Sequence, residues 1–261
     1  MTQKHAEPRI ALAAERRAEI LDILRRERRV VATELVQRLG VSRDTVRRDL
    51  DELAAAGLLQ RVHGGGLPPV GNAIEYSARL GLNVEEKREL ATGAVRLLRE
   101  RQVIVLGPGT SVQHLVEQFP DLEATVFVTS PTAATELVKL PRLHIRMVGG
   151  TLDREGLYTY GDDAVQTLAN INADIAFIGA FSIDAGAGLT VPRMHGVASF
   201  RAIIDSAAHV VALATGDKLG TVSPYRVAPI DELTHLIVSR TVPEAVVDPY
   251  RAAGLDVIRG G

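Results

Sequence analysis

The chain has 261 residues, of which 46% are hydrophobic and 24% are charged, a balance that supplies enough apolar material for a buried core. It contains no cysteine, which excludes disulfide bonds and thiolate metal sites. The histidines are scattered without the spacing of a metal site, so the sequence predicts neither a metal nor another cofactor.

The two parts of the chain differ in charge. The net charge of −2 combines a weakly basic segment, residues 1–66, with an acidic remainder, which suggests an anionic partner for the first segment. Residues 1–14 are expected to be disordered, and their polar start lacks the apolar core of a signal peptide. Because no apolar run of about 18 residues occurs, we expect a soluble, cytoplasmic protein that does not bind a membrane.

Three helices are predicted within residues 15–66. The first covers residues 15–29, and the second covers 33–39 and ends at Gly40, since glycine takes a positive φ without steric cost. Ser42 is expected to cap the third helix by accepting a hydrogen bond from a free N–H group of its first turn. This order of helix, glycine turn and capped helix is typical of a helix-turn-helix.

The third helix carries polar groups outside its apolar stripe. Arg47 and Arg48 share the outer face, with Arg43 and Thr45 on the first turn. Arginine bonds phosphate or the guanine edge with two nitrogens, and threonine reaches a base or a thymine methyl group. The face therefore predicts DNA contacts. The alternative is the solvated face of a structural three-helix unit.

A short hairpin is predicted after the third helix. Residues 58–62 alternate like a strand, and a glycine-rich tip follows. A hairpin in this position acts as a wing, and Arg61, His63 and Gly64 are predicted to contact phosphate or the minor groove. The alternative for the glycines is a domain linker, which the proline and glycine content predicts over residues 67–84 in any case.

These residues carry a family resemblance. The string VSRDTVRRDL at 41–50, followed by GLL at 57–59 and RVHGG at 61–65, resembles the DNA-binding signature of the DeoR family of bacterial repressors. The similarity covers about residues 17–66. It implies a winged helix-turn-helix over 15–66, with residues 42–53 as the recognition helix and with Arg43, Thr45, Arg47 and Arg48 as DNA contacts.

From about residue 85 the pattern changes to short apolar runs that alternate with helical stretches. Such runs, bounded by glycine and polar residues, predict a mainly parallel sheet covered by helices on both faces. The fold class is therefore α/β, with residues 85–261 as a larger domain. The family resemblance implies that this domain senses an effector, and we expect it to mediate oligomerisation.

The loops after the strands carry the candidate effector site, because ligands on such sheets bind at the carboxyl ends of strands. The loop after the first strand offers N–H groups, two hydroxyls and a helix N-terminus that suit a phosphate, although a tight turn explains the same glycines. Lys218 is the expected cation for that phosphate. The candidate residues in these loops are Gly107, Gly109, Thr110, Ser111, Thr129, Ser130, Gly149, Gly150 and Lys218.

Residues 85–239 are similar to the DeoR effector domain, which is related in fold to ribose-5-phosphate isomerase and glucosamine-6-phosphate deaminase. The matching segments are 106–111, 148–150, 173–179, 183–184 with 188–190, and 217–220. The resemblance adds Asp184 to the candidate effector site. It implies a sugar phosphate or a related phosphorylated metabolite as the effector, the binding of which usually releases DNA.

The sequence departs from the family pattern at several positions. Gly107 and Thr215 stand where the family often carries aspartate, and residues 195–201 lack the usual acidic residue and lysine. These departures favour a different ligand preference. Arg193 and His195 either supply new cationic contacts or are exposed loop residues.

The sequence thus predicts a sequence-specific DNA-binding transcriptional regulator and not an enzyme. We expect a repressor of carbohydrate-metabolism genes that binds double-stranded operator DNA as a homo-oligomer, a dimer or a tetramer. One alternative is a sugar-phosphate isomerase or deaminase fused to a DNA-binding domain, with Asp174 or Asp184 as its carboxylate. Another is a structural nucleoid-type protein that binds DNA without sequence preference.

Overall fold

A computed structural model describes residues 13–27, 29–55, 58–62, 64–67 and 76–261. The chain divides into two compact units, Met1–Ile74 and Glu75–Gly261. Most of the segment predicted to be disordered, residues 1–14, lies outside the described residues; its last two residues begin the first helix.

The first unit is a winged helix-turn-helix, as predicted. Its elements are α1 (Ala13–Glu27), β1 (Val30–Val31), α2 (Ala32–Leu39), α3 (Arg43–Ala55), β2 (Gln60–Val62) and β3 (Gly65–Leu67). The three strands form an antiparallel sheet in the order β1-β3-β2. The side chains that form its core are Ile20, Ile23, Leu24, Val30, Leu35, Val46, Leu50, Leu53 and Leu59.

Two local interactions determine the turn between α2 and α3. Gly40 ends α2 with a φ of 65°, and its N–H donates to the Val36 carbonyl oxygen over 3.1 Å. The Ser42 hydroxyl accepts the N–H of Thr45 at 3.2 Å, which satisfies a free donor of the first turn of α3. Both contacts agree with the sequence prediction.

The glycine run differs from the predicted flexible tip. Gly65 and Gly66 are buried in β3, the middle strand of the sheet, and Gly64 is the exposed turn residue. A Cβ atom at Gly65 would lie 1.9 Å from the Val30 carbonyl oxygen, so a side chain there would displace β1. The sequence did not predict β1, because two residues are too few to give a strand pattern.

The predicted linker, residues 67–84, also contains regular structure. Leu67 ends β3, and α4 (Tyr76–Leu80) belongs to the second unit, where it packs against α6 (Thr110–Glu117). Residues 68–75 lie outside the described ranges.

The second unit alternates helices and strands. Its remaining elements are α5 (Val84–Val95), β4 (Val103–Leu106), β5 (Ala124–Val128), α7 (Pro131–Leu137), β6 (Leu143–Met147), β7 (Thr151–Asp153), β8 (Tyr158–Tyr160), α8 (Asp162–Ala169), β9 (Ala173–Gly179), β10 (Ser182–Asp184), β11 (Gly188–Val191), α9 (Val197–Asp205), β12 (Ala207–Leu213), β13 (Tyr225–Ala228), β14 (His235–Val238), α10 (Glu244–Ala252) and β15 (Asp256–Arg259).

The main sheet has seven strands in the order β15-β14-β12-β9-β4-β5-β6, and every neighbouring pair is parallel. Smaller antiparallel sheets, β10-β11-β13 and β7-β8, complete the unit. The α/β class and the mainly parallel sheet are confirmed.

Alternate side chains of each central strand enter opposite cores. In β4, Ile104 and Leu106 pack with α5, α6 and α7, whereas Val105 packs on the opposite face with α8, α9 and α10. This alternation is the two-residue period of a strand buried on both faces. Because all seven strands are parallel, their carboxyl ends lie along one edge.

The loops after β4 and β9 approach each other closely at that edge. The Gly107 N–H donates to the Phe177 carbonyl oxygen over 2.8 Å, and the Gly179 N–H donates to the Pro108 carbonyl oxygen over 3.0 Å. A Cβ atom at Gly109 would lie 2.8 Å from the Gly179 Cα atom, and the φ of Gly109 is 127°. The packing of two backbones thus accounts for Gly109 without a ligand.

We expect Gly109→Ala to lower the free energy of unfolding by about 1–3 kcal/mol, because it combines an unfavourable backbone conformation with a backbone clash. Urea unfolding followed by circular dichroism measures this change. Gly149→Ala is the control, since a Cβ atom at Gly149 would have no neighbour within 4 Å among the described residues. Equal unfolding midpoints for the two variants would contradict the steric explanation.

Candidate functional site

The outer face of α3 brings together the residues predicted to contact DNA. Arg43, Arg47 and Arg48 are exposed there, and Thr45 is half-buried on the first turn. Asp44 Oδ1 lies 3.6 Å from Arg47 Nη2, but both side chains are largely exposed, so this pair is weak. The face therefore offers three guanidinium groups that an external anion can reach.

The other residues of this prediction have contacts within the unit. The Ser42 hydroxyl lies 2.9 Å from the Thr45 hydroxyl, in addition to its capping bond. Arg61 donates from Nε to Asp51 Oδ1 over 2.8 Å and from Nη1 to the Gly65 carbonyl oxygen over 2.6 Å. Arg61 thus ties the wing to the recognition helix. His63 lies outside the described residues.

The hydroxyl-bearing residues at the strand ends of the second unit are mostly buried. Thr110 and Ser111 lie in the first turn of α6, and neither is more than 9% exposed. Thr129 is fully buried and donates its hydroxyl to the Leu106 carbonyl oxygen over 3.3 Å. The Ser130 hydroxyl lies 2.9 Å from that of Thr132. The Thr129 hydroxyl therefore links the carboxyl ends of β4 and β5.

A polar network connects this edge to α4. The Thr132 hydroxyl donates to Gln113 Oε1 over 3.1 Å, and the Tyr76 hydroxyl donates to the same oxygen over 3.3 Å. The sequence analysis did not identify Gln113 or Tyr76, because α4 falls within the predicted linker. Tertiary packing alone brings the helix to the carboxyl edge.

Two cationic side chains contact Phe181, in the loop after β9, and a third cation lies close to them. The guanidinium carbon of Arg79 lies 5.5 Å from the Phe181 ring centroid, and Lys218 Nζ lies 5.9 Å from the same centroid. Lys87 donates from Nζ to the Arg79 carbonyl oxygen. We refer to Arg79, Lys87 and Lys218 as the cationic cluster. The sequence analysis identified Lys218 but missed the other two, which stand in or next to the predicted linker.

The cationic cluster is only partly neutralised. Asp217 Oδ2 lies 2.8 Å from Lys218 Nζ, and Asp217 Oδ1 also accepts hydrogen bonds from Thr215 and Asn83. Thr215 stands where the family often carries aspartate, and here its hydroxyl donates to Asp217 instead. In the described part of the chain, Arg79 Nε is buried without a hydrogen-bond partner.

Burial changes the pKa of two cations in the cluster. Burial, followed by the positive charge of Lys218, lowers the pKa of Lys87 to about 8. Burial also lowers the pKa of Arg79. Both shifts mean that the charged forms are poorly solvated, and at Lys87 the carboxylate of Asp217 offsets part of the repulsion from Lys218.

Other candidate residues have separate roles. The Asp184 carboxylate accepts the N–H groups of Gly186 and Ala187, each over 2.9 Å, and so stabilises the turn between β10 and β11. Gly149 and Gly150 are exposed before β7. The contacts described for these residues do not include the cationic cluster.

Arg193 and His195 both contact carboxylates. His195 Nε2 lies 2.6 Å from Asp153 Oδ2, and Arg193 pairs with Glu155 and, at 3.6 Å, with the same Asp153 oxygen. These pairs connect the segment before α9 to the turn between β7 and β8. The sequence analysis left two alternatives open, cationic contacts or exposed loop residues; in the structure His195 is exposed and Arg193 is half-buried.

The second candidate carboxylate lies at the opposite edge of the sheet. Asp174 stands at the start of β9 and accepts the N–H of Val103, at the start of β4, over 2.7 Å. It is therefore at the amino ends of the strands. Within the described ranges, no cluster of histidine and acidic side chains is arranged to hold a metal ion.

No described helix is long and apolar enough to span a membrane.

Comparison with known proteins assigns both units. Residues 16–67 match the DeoR-like helix-turn-helix domain, and residues 82–240 match the DeoR C terminal sensor domain. The chain is 32% identical over 246 residues to the HTH-type transcriptional repressor GlcR of Bacillus subtilis, which covers 94% of this chain and 95% of the relative. It is also 32% identical over 252 residues to the HTH-type transcriptional regulator GlpR of Haloferax volcanii, with 95% and 98% covered.

Among solved structures, ribose 5-phosphate isomerase A of Methanocaldococcus jannaschii is similar with a TM-score of 0.39 and 19% identity, over 52% of this chain and 54% of that one. Family models match both domains, and the two relatives align with nearly the whole chain. The chain belongs to the DeoR family of DNA-binding transcriptional regulators.

Proposed function

We propose that the protein represses carbohydrate-metabolism genes and that a sugar phosphate or related phosphorylated metabolite modulates its affinity for operator DNA. The observation that carries this function is the exposed face of α3, where three arginines stand on a capped recognition helix. The proposed division is a DNA-binding domain over residues 15–66, a linker over 67–84 and an effector domain over 85–261.

The DNA contacts follow from the chemistry of this face. Arg47 and Arg48 are exposed and suited to phosphate or guanine, and Arg43 and Thr45 stand at the helix N-terminus, which enters the major groove first in this motif. Gly64, exposed at the turn of the wing, leaves its backbone open to phosphate. We retain Ser42, Arg61 and His63 as proposed contacts of the same surface.

Substitution of the outer arginines tests this surface. We expect Arg47→Ala and Arg48→Ala each to weaken DNA binding by about 1–3 kcal/mol if the side chain contacts a base. If it contacts a phosphate, the substitution should weaken binding similarly on every sequence and reduce the slope of log affinity against log salt concentration by about one unit. Fluorescence anisotropy on DNA from upstream of the gene, compared with scrambled DNA at several salt concentrations, measures both effects. Arg226→Ala, an exposed arginine of β13, is the control.

The outcomes also separate the structural alternative. A nucleoid-type protein would bind both DNAs equally with a steep salt dependence. Unchanged binding after both arginine substitutions would exclude the outer face of α3 as the DNA surface.

The cationic cluster is the proposed effector site. It offers three cations and a buried guanidinium nitrogen that lacks a partner within the described chain, and an anion as compact as phosphate satisfies such donors. Besides Lys218, we retain as proposed effector contacts the sequence-predicted residues of the strand-end loops and the β10–β11 turn, which are Gly107, Gly109, Thr110, Ser111, Thr129, Ser130, Gly149, Gly150 and Asp184.

Lys218→Ala tests the cluster. We expect operator affinity to remain unchanged, whereas the sugar-phosphate concentration that alters DNA binding should rise about tenfold or more, because a charge-assisted bond to the anion is lost. Lys139→Ala is the matched control, since Lys139 is also a lysine paired with a carboxylate, 2.6 Å from Glu136 Oε1. An unchanged effector response would remove Lys218 from the site.

The pKa of Lys87 gives a separate test. Because this pKa is about 8, Lys87 is charged at neutral pH and loses its proton as the pH rises above that value. A bound anion stabilises the protonated lysine, so affinity should fall by up to about tenfold per pH unit from about pH 8 upward. Calorimetric titration with a sugar phosphate measures the profile. Lys87→Met should bind more weakly at pH 7 with a flatter profile, and identical profiles would exclude Lys87.

Coupling between the two functions is proposed to act through α4. This helix follows the segment that joins the units and supplies Tyr76 and Arg79 to the effector edge. An effector that binds Arg79 would change the free energy of α4 directly. The change in DNA affinity then requires different effector affinities in the DNA-competent and DNA-incompetent arrangements.

We further propose that the protein is not an enzyme and acts as a cytoplasmic homo-oligomer. The carboxylates considered for isomerase or deaminase chemistry, Asp174 and Asp184, accept backbone N–H groups in strand and turn contacts. A general base must instead reach the substrate carbon. Rapid turnover of ribose 5-phosphate or glucosamine 6-phosphate by the purified protein would favour the enzyme alternative.

A further inference from the structure

We infer that the ion pair between Arg16 of α1 and Asp49 of α3 is a positioning device that sets the rotation of the recognition helix and thereby operator discrimination. The inference rests on the proposed DNA-binding role of the outer face of α3. It concerns residues that make no proposed DNA contact themselves.

The geometry of the pair is bidentate and buried. Arg16 donates from Nε to Asp49 Oδ2 over 2.5 Å and from Nη2 to Asp49 Oδ1 over 3.0 Å. The side chains are only 11% and 4% exposed. Two parallel bonds between planar groups specify orientation as well as distance, and the pair is shielded from the solvent that weakens surface ion pairs.

The position of Asp49 makes this orientation relevant to DNA. Asp49 directly follows Arg47 and Arg48, so a rotation of α3 that breaks the pair also moves both arginines around the helix axis. The apolar stripe of Val46 and Leu50 holds α3 against the core, but apolar contacts are not directional. The bidentate pair adds the directional restraint.

Two other acidic residues of α3 pair with arginines outside the helix. Glu52 pairs with Arg17 of α1, and Asp51 pairs with Arg61 of the wing at 2.8 Å. Their carboxylates are 60% and 56% exposed, so solvent screens both pairs. The Arg16–Asp49 pair differs from them by burial. The exposed Arg17–Glu52 pair joins the same two helices and therefore serves as the matched control.

The test compares substitutions that change charge in opposite directions. Asp49→Asn removes a negative charge and Arg16→Met removes a positive one, so a purely electrostatic effect on DNA binding would have opposite signs. A positioning role predicts that both variants lower the ratio of affinities for a preferred and a scrambled DNA by at least tenfold. The preferred DNA is the sequence that the wild-type full-length protein selects from a random pool, and anisotropy gives both affinities.

Two controls separate positioning from stability. Glu52→Gln and Arg17→Met carry the same charge changes at the exposed pair and should leave the ratio within about twofold of wild type. The double variant R16M/D49L replaces the buried pair by apolar side chains, which often restores stability. We expect it to regain the melting temperature while the affinity ratio stays low. Arg16→Lys, which keeps the charge but not the bidentate geometry, should lower the ratio without unfolding and carries the test if other variants fail to fold.

Each outcome decides between the explanations. Opposite changes in the ratio for Asp49→Asn and Arg16→Met would show a simple charge effect, and recovery of the ratio in R16M/D49L would show a merely structural pair; either overturns the inference. The inference is also overturned if the wild-type protein prefers its selected DNA and the Arg16→Lys variant has the same affinity ratio. If the wild-type protein selects no sequence, the proposed DNA-binding function itself fails.

Discussion

Parallel pairing at the centre of the seven-stranded sheet determines where the groups of the second unit lie. Since β4, β9 and β12 run in the same direction, their following loops meet at one edge, although more than a hundred residues separate Gly107 from Lys218 in the chain. The loops after β4 and β9 lie so close that Gly109 and Gly179 leave no room for side chains. This contact is part of the fold itself, and the ligand chemistry belongs to the side chains around it.

Those side chains come from distant elements. Lys218 follows β12, Phe181 follows β9, and Arg79 and Lys87 lie in the two helices that precede the sheet. Their cations are partly desolvated, as the lowered pKa of Lys87 indicates. The carboxylate of Asp217 offsets part of this positive charge, and the anionic effector that we propose would offset more of it.

In the first unit, ion pairs neutralise acidic residues of the recognition helix. Its recognition helix carries four acidic and three basic residues, yet arginines of α1 and the wing pair with Asp49, Asp51 and Glu52. The pairing reduces the negative field that these residues would present to phosphate, and it leaves the arginines of the outer face available. Neutralisation of these carboxylates therefore leaves the outer face of α3 with a positive charge.

The sequence by itself determined the winged helix-turn-helix, the α/β class and the family, because hydrophobic period, caps and the VSRDTVRRDL string are local features. It did not predict that Gly65 lies in a central strand, that Arg61 bonds Asp51, or that Arg79 reaches Phe181. Each of these depends on contacts between segments far apart in the chain or on an element too short to have a pattern. Only the tertiary structure decides them, since burial and pairing are properties of the packed chain and are absent from any single stretch of residues.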